Sequence, residues 1–203
     1  MKKVMSSSIL ILATAALSAQ TIQGTSHDFS QYTPSGEICV VCHTPHNANT
    51  DVPNSPLWNH QVTSQTFTPY STTSLDAEVG QPSGVSKLCL SCHDGATAVD
   101  NYGGTTTGTW LITGREAIGT DLRNDHPVSF VYDQALAAAD GELKDPTSAV
   151  TALGGTIQTD LLSEGSTVEC TSCHDVHNGY SYNPEFLKIT MNGSALCLTC
   201  HDK

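Results

Sequence analysis

Hydrophobic positions along this chain fall into short runs that hold neither a 3.6-residue nor a two-residue period for long. One run is different: in "MKKVMSSSILILATAALSAQ" a basic start at Lys2 and Lys3 leads into an apolar stretch from Ile9 to Leu17 and then small residues before Gln20. That order describes an export leader over residues 1–19, cleaved near Ala19. No cysteine follows the apolar stretch, which argues against a lipid anchor there. No later segment approaches the roughly 18 apolar residues of a membrane helix, so no membrane span is expected. Tracts such as "YGGTTTGTW" and "TALGGTIQTD" are turn-rich. The pattern therefore predicts mostly irregular coil, short α-helices around the cysteine motifs described next, and little β structure.

All eight cysteines fall into four CxxC pairs: Cys39/Cys42, Cys89/Cys92, Cys170/Cys173 and Cys197/Cys200. A histidine follows each pair at once: His43, His93, His174 and His201. With nine histidines in 203 residues, chance would produce four such placements with a probability of roughly a few in a million, so CxxCH is the unit to explain. Structural zinc needs four ligands per ion but gives no reason for a histidine after every second cysteine. A thioredoxin-like redox motif occurs once, in a βαβ setting. Covalent attachment of c-type haem needs all three residues, two thiols for the thioethers and the adjacent histidine as proximal ligand. The expected cofactors are four covalently bound haem c groups, held by the eight cysteines.

Composition then bears on architecture. Removing 19 residues from 203 leaves 184, or 46 for each motif, with 38% hydrophobic and 6% aromatic residues in the whole chain. So little apolar side chain cannot enclose four macrocycles in a conventional core, and the expected core is the haem stack itself. An internal duplication divides the chain. "CVVCHTPHN", "SPLW" and "SKLCLSCHDG" are answered later by "CTSCHDVHN", "NPEFL" and "SALCLTCHDK". The expected organisation is one domain over residues 20–203, made of a di-haem module (20–95), a cysteine-free insert (96–169) and a second di-haem module (170–203). The net charge of −12 disfavours nucleic acid as a partner, because neutralising phosphates requires a basic surface. The acidity itself suits a solvated surface.

Five further histidines could supply sixth ligands: His27, His46, His60, His126 and His177. Met191 is the one methionine beyond the leader, and the histidines already outnumber the irons, so all four centres are expected to be bis-histidine. One histidine is then surplus, with His27 and His60 as the candidates. His43 and His46 are three positions apart, as are His174 and His177. Residues at that spacing lie on the same side of a helical turn, about 5–6 Å apart at Cβ. His46 therefore cannot reach the opposite face of the haem ligated by His43 and must serve another, and the same holds for His177. A reductase is disfavoured, since it needs an iron with an open position and the chain has no CxxCK variant. A non-enzymatic electron carrier is expected.

"HDFS", "ICVVCHTPHNA", "PLWNH", "SKLCLSCHDG", "NDHPVSF" and the terminal "CLTCHDK" resemble, across essentially all of residues 20–203, the OmcE-like extracellular tetrahaem cytochromes of metal-reducing bacteria, which polymerise into conductive nanowire filaments. The resemblance implies head-to-tail homopolymers, bis-histidine ligation and a continuous path of stacked haems. It further implies that His46 ligates a haem of the adjacent subunit. By analogy with a related hexahaem filament, this is the haem held by Cys170, Cys173 and His174; the haem of Cys89 and Cys92 in the same chain is the alternative. Other redox proteins and extracellular electron acceptors would be the partners, and the cell surface the location. A soluble periplasmic carrier is the alternative, since the wider family contains such members.

Overall fold

The computed structural model describes residues 22–177 and 185–202; the expected leader lies outside them. Most of the described chain is turn and coil. Five short helices interrupt it: α1 Gly84–His93, α2 Gln134–Asp140, α3 Ile157–Asp160, α4 Cys170–Cys173 and α5 Ala195–Cys200. A single antiparallel ribbon pairs β1 (Phe130–Val131) with β2 (Thr167–Val168), in the register Phe130 to Val168 and Val131 to Thr167.

Three of the helices carry cysteine motifs, as expected. The first motif departs from the expectation. Cys39–His43 makes one turn, closed by the His43 amide on the Cys39 carbonyl at 2.8 Å, but no helix grows from it. The β-branched pair Val40 and Val41 lowers helix propensity, and Pro45 bars continuation.

The longest helix, α1, owes its start to a distant residue. Gly84 opens it at φ +48°, and a Cβ there would lie 2.9 Å from the Glu169 carboxylate. That carboxylate accepts from the Ser86 amide at 3.2 Å, so Glu169 caps α1 from just before α4. The Ser86 hydroxyl oxygen in turn accepts from the Cys170 amide at 2.9 Å. Small, fully buried Ser86 and Ser91 let α1 approach its neighbours closely.

The insert is better ordered than its turn-rich sequence suggests. Asp133 accepts from the Leu136 amide at 2.9 Å to start α2, which ends at Gly141 in the left-handed conformation, and Thr156 forms a capping box that starts α3. These caps hold Phe130, Tyr132, Ala137, Ile157, Leu162 and Val168 in a shared apolar cluster, an ordinary side-chain core within the insert. Elsewhere the apolar side chains form smaller clusters, several of which border cysteines: Cys42 and Cys92 beside Phe29, Val41 and Val99, and Cys173 and Cys200 beside Leu161, Leu187 and Ile189. The insert also grips the last motif, through the Lys144 amide on the Cys200 carbonyl at 2.8 Å and the Asp202 amide on the Glu142 carbonyl at 2.7 Å.

Candidate functional site

Each cysteine motif is a single tight turn. The histidine amide donates to the carbonyl of the first cysteine at 2.8 Å in Cys39–His43, 3.0 Å in Cys170–His174 and 3.0 Å in Cys197–His201, while Cys89–His93 forms the end of α1. One turn puts both thiols and the imidazole on one local surface, as attachment to a single macrocycle requires.

Neighbouring motifs touch in chain order. Cys42 and Cys92 border one apolar cluster, Cys89 hydrogen-bonds Cys170, and Cys173 and Cys200 border another cluster. Burial, with Cys39 second, pushes the Cys42 thiol up to about 11. Burial does the same to Cys200, also to about 11. The hydrogen bond with Cys170 and then burial raise the Cys89 thiol well above its usual value. The same hydrogen bond with Cys89 lowers Cys170 from its ordinary value, so Cys170 is the readier nucleophile of that pair.

Three proximal histidines are oriented in the same way. Nδ1 of His43 lies 2.6 Å from the Pro56 carbonyl, Nδ1 of His93 lies 2.7 Å from that of Glu116, and Nδ1 of His174 lies 2.6 Å from that of Glu185. A carbonyl only accepts, so Nδ1 carries the proton and donates, and Nε2 keeps its lone pair for a metal. The acceptors are themselves linked: Arg115, beside Glu116, pairs with Glu185 at 3.3 Å. His126 shows the same device, with Nδ1 2.9 Å from the Pro127 carbonyl.

The rings then sort into pairs. His43 faces His177 at 6.2 Å between ring centres, with the planes 19° apart. His27 faces His93 at 6.1 Å and 54°. His126 faces His201 at 6.4 Å and 71°. Two imidazoles on opposite faces of one metal ion have ring centres roughly 6–6.5 Å apart, given a metal–nitrogen bond of about 2.0–2.1 Å and about 1.1 Å from nitrogen to ring centre. All three separations match that span, so the donor set fits bis-histidine haem c. Haem c, when bound, would supply an iron that gains and loses one electron; the paired histidines and the CxxC cysteines are the residues that would hold it.

His27 is a well-prepared member. Burial, then the nearby His93, His174 and His177, pulls its pKa down to about 4, so the ring is a neutral donor at neutral pH. Its Nδ1 is buried without a hydrogen-bond partner.

His60 is different. It is 1% exposed, with Nδ1 2.7 Å from the Gln61 carbonyl and Nε2 2.9 Å from the Ala98 carbonyl. Both nitrogens lie beside backbone carbonyls, of which a neutral ring can donate to one, and the ring also sits 3.6 Å from the Cys92 Sγ. Of the two candidates for the surplus histidine, His60 is the one the geometry sets apart, while His27 pairs with His93. Met191 is exposed.

Two groups are left over. Among the described residues no ring contact of this kind involves His174 or His46. His46 is exposed, its backbone pinned by Thr44, whose hydroxyl donates to the His46 carbonyl at 2.8 Å. The carbonyls of Pro56, Glu116 and Glu185 that orient His43, His93 and His174 are backbone groups with no sequence signature.

A family described as "Doubled CXXCH motif" matches residues 163–203, which hold the third and fourth motifs. No curated protein matches the chain. Among the described residues no helix is long and apolar enough to cross a membrane. The doubled motif and the coil-rich, short-helix fold mark a multihaem c-type cytochrome-like electron carrier with covalently bound haem c.

Proposed function

We propose that this chain is the subunit of an extracellular tetrahaem nanowire, a head-to-tail homopolymer that conducts electrons toward external acceptors and turns over no substrate. The observation that supports this most directly is the leftover pair: three proximal histidines have a facing imidazole at 6.1–6.4 Å, whereas among the described residues no facing imidazole is found for His174 or for His46. His46 then completes the His174 centre of the next subunit. Head-to-tail ligation of this kind is a heterologous contact that need not close, and its product is then an open filament rather than a dimer. Saturating every iron with imidazole removes the open position that substrate activation needs. The leader-like start and acidic composition suit an exported protein.

The test is His46→Ala in the native, haem-loaded protein. The expected product is a monomer that carries four haems by mass, one of them high-spin, and forms no filaments in negative stain. Filaments of normal length with four low-spin haems would overturn the proposal. A wild-type protein that stays monomeric with all haems low-spin would point instead to a soluble periplasmic carrier.

A further inference from the structure

The paired imidazoles are not all held in the same way at their second nitrogen. Nδ1 of His43, of His93 and of His126 lies 2.6–2.9 Å from a backbone carbonyl, that of Pro56, Glu116 and Pro127 respectively. His177 has a carboxylate instead, with Nδ1 3.7 Å from Oδ1 of Asp175. His27 has neither: its Nδ1 is buried and no acceptor reaches it. Aromatic rings take the acceptor's place. Buried Phe29 stands edge-on to the His27 ring at 6.0 Å and 88°, and buried Phe186 lies 5.0 Å from it at 59°. Trp110 packs on Phe29 at 6.0 Å, with Tyr32 beyond it at 4.4 Å. This packing sets the His27 ring in place and offers its N–H no oxygen to donate to.

An imidazole whose N–H donates to an acceptor is a more electron-rich ligand, and a nearby carboxylate strengthens the effect. Electron-rich axial ligands favour the oxidised, more positive iron, whereas a ligand without that support in an apolar shell favours the reduced one. His43 and His177 both have such support, from a carbonyl and from a carboxylate; in the His27–His93 pair only His93 has it. The two centres are neighbours, because Cys42 and Cys92 border one apolar cluster, and Phe29 belongs to that cluster. We infer that the missing acceptor at His27 sets the His27–His93 centre at a higher reduction potential than the His43–His177 centre, so that an electron shared by the two rests at the former. The step between the first and second motifs is therefore directional: the His43 iron is oxidised as the His93 iron is reduced. The inference rests on bis-histidine haem c at both pairs and is independent of whether the chain polymerises.

A redox titration of the native haem-loaded protein, followed by electron paramagnetic resonance, tests this. The variants His27→Ala and His177→Ala identify the two low-spin signals, each by the signal it loses. As the applied potential is lowered, the signal assigned to His27 should vanish from the unmodified protein before the one assigned to His177. Loss of both together, or in the reverse order, overturns the inference, and so does a His27→Ala protein in which every haem stays low-spin. Asp175→Asn removes the charge beside His177 and keeps an acceptor for the His177 amide, which Asp175 holds at 3.1 Å. In that variant the His43–His177 signal, recognised by its nearly parallel rings at 19°, should vanish at a higher potential while the His27 signal does not move. An unshifted His43–His177 signal overturns the role given to the acceptors, and this comparison decides the matter if His27→Ala fails to mature.

Discussion

The imidazoles of His43 and His177 face each other 6.2 Å apart and only 19° from parallel, although 134 positions separate them in the chain. The His126 and His201 pair, at nearly the same separation, is turned to 71°. Parallel ligand planes donate into one iron d orbital and lift its near-degeneracy with its partner, whereas crossed planes leave the two nearly equal. Electron paramagnetic resonance of the oxidised monomer should therefore show two kinds of low-spin signal, a moderately rhombic one from the His43 centre and a strongly anisotropic one from the His201 centre. A single class of signal would contradict these ring orientations.

His177 and His46 follow the same spacing rule from their own motifs but should differ on mutation. His177→Ala removes an in-chain ligand, so one haem becomes high-spin while filaments still form. That combination, read by absorbance and negative stain on the same sample, separates an internal ligand from a trans one.

His60→Ala should leave every haem low-spin. It removes the one N–H that a neutral ring donates to the Gln61 or the Ala98 carbonyl, at a cost of about 1–3 kcal/mol in unfolding free energy. A high-spin signal in this variant would return His60 to the list of ligands.

Asp94 and Glu169 are buried carboxylates with opposite expected behaviour. Burial pushes the Asp94 carboxyl up, but hydrogen bonds from Thr63, Thr97 and Ala96 more than reverse this and hold it below its usual value. Its stabilisation is thus present above the ordinary carboxylate range and lost as pH falls through the lowered value. Asp94→Asn should cost about 1–3 kcal/mol at neutral pH and little in strong acid. At Glu169 burial dominates and raises the carboxyl, despite help from Ser86 and Ser129. Its favourable contribution is present below the unfolded value and lost as pH rises through the raised one. Glu169→Gln should match or exceed the unmodified protein at neutral pH and gain nothing near pH 4. Urea titrations at the two pH values check both signs.

The attachment chemistry was legible in the chain because CxxCH is local: five residues in one turn carry it. Helices at Cys89, Cys170 and Cys197 followed for the same reason. The helical spacing assumed for His43 and His46 does not hold, since the chain leaves the turn at His43. The first motif was misjudged because Val40, Val41 and Pro45 override the motif's tendency to helix. The insert was read as irregular because its core residues, from Phe130 to Val168, come from separate short segments with no shared period; Asp133 and Thr156 were the cap signals available. Choosing between His27 and His60 was beyond spacing arguments. Backbone carbonyls of Gln61 and Ala98 settle the environment of His60, and the fold brings His27 to His93 from 66 positions away.

The insert core has one more consequence. His126 stands four residues ahead of Phe130, the first residue of β1 and a member of that apolar cluster, and the facing His201 follows Cys200, whose carbonyl accepts from Lys144 and from the hydroxyl of Tyr132. Both imidazoles of this centre are therefore tethered to the same patch of ordinary side-chain packing. Melting of that patch should loosen both imidazoles together, and the event would be read in the colour of a single iron. The protein thereby carries its own optical gauge of whether its cysteine-free middle is folded, readable without any added label.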